Sequence, residues 1–258
     1  MARILTSLHG KLAGLTRTGK LMVPGGFIAG EDGMQIVEPS PSTVSVFDDF
    51  LGDVIADQWN SHVGSDSPAA IAVAAAAGGT LVLTTGDSNA SLAADGSVLD
   101  SYLNWYAQNG GLTFSARLKV SSIATVQCCF GFTDQVSALE MPATLSGTTY
   151  TTVATDAAVF LFDTSATTDT IRCVGVANDV DATHVDTGNA WAANTYATFT
   201  IELDASGNAK FMINGVPVGV VANAVTPSVA LTPVFAIRSL AAASYTMTID
   251  YVNVSMNR

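Results

Sequence analysis

The densest collection of groups able to do chemistry is the run Asn178-Asp179-Val180-Asp181-Ala182-Thr183-His184-Val185-Asp186. Asp179, Asp181 and Asp186 stand within nine residues of one another beside an amide and an imidazole, a set of hard oxygen donors that could hold calcium. The spacing departs from an EF-hand, with neither its Gly nor its terminal Glu in place. The run therefore reads as a solvated acidic turn, with those three aspartates as the candidates should a metal bind, and no metal or other cofactor is expected. A second set is aromatic. Trp105, Tyr106 and Trp191 are flanked by polar and turn residues and could stack on a sugar ring, although large aromatics in a β-protein more often pack in the core.

Acid–base and nucleophilic chemistry is harder to place. Glycoside hydrolysis needs two carboxyl groups about 5–10 Å apart. The chain has four Glu, and only Glu140 and Glu202 lie beyond residue 46. Glu202 and Asp204 share a strand face, but that face alternates to solvent and Asp204 opens a turn. The three histidines, His9, His62 and His184, accompany no Gly-x-Ser-x-Gly elbow. No catalytic residue is assigned, and a non-enzymatic protein is expected. Cys128 and Cys129 are adjacent in an expected strand and Cys173 stands apart, which favours free thiols and folding in a reducing cytoplasm.

The elements that would position these groups are strands. Leu112, Phe114, Ala116, Leu118 and Val120 alternate with polar neighbours, as do Ala197, Phe199, Ile201 and Leu203, so each run has one apolar face. The second run stops at Asp204-Ala205-Ser206-Gly207-Asn208, and the returning strand turns at Asn214-Gly215, a type I′ signal. Pro217 marks an edge or a bulge in the strand that follows. Further strands are expected at 71–75, 80–84, 98–106, 124–132, 157–163, 170–176, 231–238 and 245–255. In the last of these the apolar phase switches near Tyr251, which predicts a bulge. A convincing amphipathic helix is hard to find. The pattern gives an all-β, two-sheet antiparallel sandwich over residues 47–258.

Residues 1–46 differ. They have no sustained period and many Gly and Pro, yet they carry Ile4, Leu5, Leu8, Leu12, Leu15, Met22 and Phe27 together with Arg17 and Lys20. Such a segment reads as an extended N-terminal arm whose apolar side chains gain burial only against a partner or the body. The net charge is −12, but the first 46 residues sum to +1 and the remaining 212 to −13. An acidic body of this kind argues against nucleic-acid binding, and no apolar run is long enough to span a membrane.

The order of landmarks resembles the concanavalin A-like, laminin-G-like jelly roll. The matching residues are Phe47-Asp48-Asp49-Phe50, Gly79-Thr80-Leu81-Val82-Leu83, Gly111 to Lys119, Phe130-Gly131-Phe132-Thr133-Asp134, Phe211 to Gly215 and Ile249 to Val254. Within that fold, the Lys-poor, Ala/Thr/Gly/Ser-rich style and the acidic body behind a short arm look like decoration, or cement, proteins of tailed bacteriophages. The resemblance implies a viral structural protein, a homotrimer on the capsid exterior of the virion, gripping the major capsid protein through its arm. A carbohydrate-binding, lectin-like module of a tail fibre or spike is the alternative.

Overall fold

The structure is a computed structural model. It describes residues 42–258 except 75–77, 89–90, 103 and 137–138, together with the backbone of four short strands nearer the N-terminus. The chain divides into two compact units, Met1–Ser45 with Asn257–Arg258, and Val46–Met256. In the first unit, strands Gly14–Leu15, Leu21–Val23, Phe27–Ala29 and Gln35–Val37 pair in sequence order as an antiparallel meander. Two or three residues per strand are too few to register as a period, so the sequence of the arm reads as irregular although its backbone is paired.

The second unit is a sandwich of two eight-stranded sheets. The first runs in the order Val216–Val221, Ala209–Ile213, Ala197–Leu203, Leu112–Val120, Thr246–Asn257, Thr80–Thr84 and Ala70–Ala74, with Thr43–Asp48 also pairing with Thr246–Asn257. The second runs Val180–Asp181, Arg172–Ala177, Ala157–Asp163, Val126–Thr133, Thr232–Ser239, Ser97–Asp100 and Asn60–Val63, with Val185–Asp186 on Arg172–Ala177. The expected landmarks recur as local geometry. Asn214 and Gly215 both have positive φ, as a type I′ turn requires. The strand carrying Pro217 is a sheet edge with a register shift at that residue. Arg117 pairs with Tyr251 while Leu118 pairs with Ile249, so Asp250 is the bulged residue and the buried phase moves from Met247 and Ile249 to Val252 and Val254.

Between the sheets lies a core of phenylalanines. Phe114, Phe130, Phe132, Phe160, Phe199, Phe211 and Phe235 are fully buried, with centroid separations of 4.8 Å for Phe130–Phe199 and 5.0 Å for Phe160–Phe211. Edge-to-face pairs of this kind add about 0.5–1.5 kcal/mol each beyond their burial. The second sheet is dry on its outer face as well. Cys129, Val159, Leu161, Val174, Val234 and Ala236 pack there against Met141, Ala143, Leu145 and Tyr150. These covering residues belong to or lead into a hairpin, Ala143–Ser146 with Thr149–Thr152, that the sequence analysis did not anticipate. The hairpin is tied down by the Leu145 N–H, which donates to the buried carboxylate of Asp163 at 2.9 Å, and by the Gly147 N–H, which donates to the Ser165 carbonyl at 2.7 Å. Two expected elements also change. Strand 98–106 ends at Asp100, and short helical turns occupy Leu92–Asp95 and Ala107–Asn109.

Gly131 sits mid-strand with φ +143°, where an added Cβ would stand 2.5 Å from the Ala158 carbonyl oxygen and 2.6 Å from Ile201 Cδ1. Neither backbone nor buried neighbour can retreat cheaply. Gly131→Ala is expected to destabilise the sandwich by about 2–3 kcal/mol, read as a lower denaturation midpoint; a midpoint equal to wild type would contradict this packing.

Candidate functional site

The arm residues Ile4, Leu5, Leu8, Leu12, Leu15, Arg17, Lys20, Met22 and Phe27 lie outside the residues whose side chains are described. The aromatic candidates are placed clearly, and not as an open platform. Trp105 is 5% exposed and held by a backbone bridge to Leu231, with N–H to carbonyl distances of 3.2 and 2.8 Å. Tyr106 is half-buried, its N–H donating to Met256 Sδ at 3.5 Å. Trp191 is 4% exposed and packs its ring against Phe130, Phe162 and Phe199, the last at 5.2 Å. Core packing takes both tryptophan rings away from a flat, exposed stacking role.

Trp191 nonetheless lines a pocket of about 220 Å³. Buried Ile171, Trp191 and Phe199 form its floor, and Asn189, Thr195, Tyr196 and Asn214 its rim. Local structure explains the placement. The Ile171 N–H donates to the Asn189 carbonyl at 2.9 Å, which pins the loop that carries Trp191. Asn194, at positive φ, donates its N–H to the Val120 carbonyl at 2.7 Å and its side-chain amide to the Ser121 carbonyl at 3.2 Å. Asn214 is brought to the rim by the turn it shares with Gly215. Its Oδ1 accepts from the Thr198 N–H at 2.9 Å, which leaves its NH₂ as a donor. Asn189 spends an amide N–H on the Thr187 carbonyl at 3.1 Å and keeps its oxygen as an acceptor. Among the described residues the buried indole N–H of Trp191 has no acceptor, an unmet donor of a kind that ordinarily costs about 1–3 kcal/mol.

Beside the pocket, two cations lie over the Tyr196 ring, Arg117 at 4.3 Å and Lys119 at 4.8 Å from its centroid. Arg117 also pairs with Asp250 at 2.6 Å. Burial, helped by the Asp250 carboxylate and opposed by Arg117, raises the phenol of Tyr196 above its ordinary range.

The three aspartates of the acidic run are engaged by separate partners. Asp181 accepts from the Thr152 hydroxyl at 2.8 Å and stands 3.8 Å from His184 Nε2. Asp186 pairs with Arg172 and accepts from the Thr170 hydroxyl at 2.8 Å and the Gly188 N–H at 2.9 Å. Burial works against its charge, but those hydrogen bonds and Arg172 outweigh it and hold the carboxyl below the usual range. Asp179 sits in a left-handed turn with its N–H on the Thr155 carbonyl at 2.8 Å. Pairing puts Asp181 and Asp186 on two different short strands, each with its own partners, and no group of three metal-ligating side chains forms among the described residues. His184 is the member the sequence reading undervalued. Its side chain is 8% exposed, and its ring lies 4.2 Å from that of Tyr150 in the hairpin.

Other candidates resolve similarly. Glu202 pairs with Lys210 at 3.2 Å, and Glu140 accepts from the Gln135 amide at 2.8 Å. Among the described strands none carries two carboxyl groups on one face. Cys128, Cys129 and Cys173 are free and buried, and burial pushes the thiols of Cys129 and Cys173 up to about 12. Among the described residues no helix is long and apolar enough to cross a membrane.

No family model and no curated protein matches the sequence. Solved structures do match in fold. A Bacillus licheniformis beta-glucanase aligns at 13% identity and a TM-score of 0.56, covering 81% of this chain and 97% of the glucanase. A glycoside hydrolase family 16 endo-glucanase from Bacteroides ovatus aligns at 11% identity, a TM-score of 0.56 and coverages of 81% and 99%. The carbohydrate recognition domain of Emp47p aligns at 12% identity, a TM-score of 0.54 and coverages of 83% and 94%. The chain therefore has the concanavalin A-like jelly-roll sandwich. Two expectations change with these neighbours. The expectation of a non-enzymatic protein is overturned, because glucanases that hydrolyse glycosides are built on this sandwich. The capsid-decoration role draws no support from neighbours described as glucanases and a carbohydrate recognition domain.

His184 carries a pH-dependent consequence. Burial lowers its folded pKa below the ordinary 6.5, and nearby Asp181 only partly offsets this. The unfolded chain then takes up the proton first as pH falls, so the stability that depends on neutral His184 is complete above about pH 7 and declines below 6.5. Thermal unfolding from pH 7.5 to 5.0 should show a steeper loss of Tm in wild type than in His184→Phe, which keeps a ring against Tyr150. Parallel curves would contradict the assignment.

Proposed function

We propose that the sandwich binds carbohydrate and that the Trp191 pocket is the sugar site. The observation that carries this reading is the pocket's composition. An apolar, aromatic floor bordered by an amide donor at Asn214, an amide acceptor at Asn189 and the Tyr196 ring suits a ring that is apolar on its face and hydroxylated at its edge. Sugars have that character. The fold supports the reading from a different direction, since neighbours with the same architecture include a carbohydrate recognition domain and a family 16 enzyme in complex with a G4G4G3G product. The pocket's place at the end of the sheets, beside the start of Ala197–Leu203 and the end of Ala209–Ile213, needs no opening on either sheet face.

The test is a glycan microarray followed by calorimetric titration of the hits, with release of reducing ends read in the same samples. Tyr196→Ala and Asn189→Ala alter the rim without entering the core and should each weaken binding about tenfold, equivalent to about 1.4 kcal/mol. Trp191→Phe keeps a packing ring while shrinking the aromatic floor of the pocket, and should weaken binding with little change in Tm. A blank array, or hits that these three substitutions leave unchanged, would sink the proposal.

A further inference from the structure

The six described basic side chains are not equally engaged. Arg117 pairs with Asp250, Arg172 with Asp186 and Lys210 with Glu202. Lys119 is given no carboxylate partner among the described residues, and the contact it makes is with the face of Tyr196, which lines the pocket. Lys119 also stands two residues from Arg117 on the same strand face, so two cations crowd one ring where Asp250 neutralises only one of them. Lys119 therefore presents a positive charge beside the pocket, over Tyr196, without itself lining the cavity. At physiological salt the distant carboxylates of the body are screened over about 8 Å, so the cation over Tyr196 acts locally despite the net negative charge.

We propose that the pocket takes an acidic saccharide, a sugar acid whose carboxylate pairs with the Lys119 ammonium while its ring occupies the Trp191–Tyr196 pocket. The inference rests on the carbohydrate-site reading above and adds the charge class of the ligand. The Tyr196 ring restrains the Lys119 ammonium, 4.8 Å from its centroid, which lowers the entropy lost when the ion pair forms. The exposed amides of Asn189 and Asn214 remain available for hydroxyl groups.

The experiment compares trigalacturonate with its methyl ester, the same skeleton without charge, by titration calorimetry on the full chain. Trigalacturonate should bind at least tenfold more tightly at 50 mM NaCl. The difference should shrink at 500 mM NaCl and in Lys119→Gln, and return in Lys119→Arg. Lys119 is half-buried on an outward strand face, and equal Tm values for wild type and Lys119→Gln would confirm that folding is unaffected. Equal affinity for acid and ester, or preference for the ester, would overturn the charge assignment while leaving the carbohydrate site standing. Binding of the acid that Lys119→Gln does not weaken would overturn the assignment to this residue. A blank glycan array would remove the carbohydrate reading itself, and this inference with it.

Discussion

Strands Val126–Thr133 and Ala157–Asp163 have no wet face: every residue in both is buried. One side meets the phenylalanine layer between the sheets, and the other meets the hairpin Ala143–Ser146 with Thr149–Thr152. A sheet dry on both sides must hydrogen-bond every polar group it encloses, because an unpaired one costs about 1–3 kcal/mol. Asp163 shows how that condition is met. Its carboxylate accepts from the Gln127 amide and from the backbone N–H groups of Leu145 and Ser165, so the buried charge that holds the hairpin is itself fully used. This tie helps to hold the covering hairpin, and the dryness of the sheet depends on the hairpin.

That constraint decides where ligand chemistry can sit. With the outer face of the second sheet packed under Met141, Ala143, Leu145 and Tyr150, a ligand approaching these central strands would have to displace apolar contacts. The end of the sandwich is different. There the loop 187–196 and the Asn214-Gly215 turn leave a pocket whose floor is the margin of the core itself, so Trp191 both packs against Phe199 and faces the cavity. The shared architecture of glucanases and a carbohydrate recognition domain shows how little the sandwich dictates chemistry. Scarcity of glutamate speaks to one mechanism at one place, which is why it was poor ground for excluding an enzyme.

Strands with one wet face were legible in the sequence by their alternation and strands without one as apolar runs, but what covers the latter was not. Leu112–Val120 and Ala197–Leu203 alternate because one side faces solvent, and the switch of phase at Asp250 and the edge at Pro217 could be read from residue type alone. Ala157–Asp163 could be identified as apolar, but nothing in its composition said what covered its outer face. The hairpin that does so, with Thr144, Thr149, Thr151 and Thr152 among its eight strand residues, has the look of a polar loop. The candidate site was legible to the same degree. Polar flanks drew attention to Trp191, yet flanking residues report where a loop is, not which way a ring turns. Whether an aromatic is platform or floor is settled by tertiary packing, here by Phe130, Phe162 and Phe199.

Charge behaves in the same way. A net −12 describes the field at a distance, where salt screens it, and says nothing about the neighbourhood of a single side chain. The strand Leu112–Val120 places Arg117 and Lys119 on its outward face by simple alternation, and the loop that carries Trp191 continues to Tyr196 beneath them. Asp250 reaches Arg117 from the bulge that the phase switch had already marked. A bulge that corrects the burial of the last strand thus also supplies the carboxylate that neutralises one of the two cations over Tyr196. The charge character of the site follows from the register of two strands rather than from the composition of the chain.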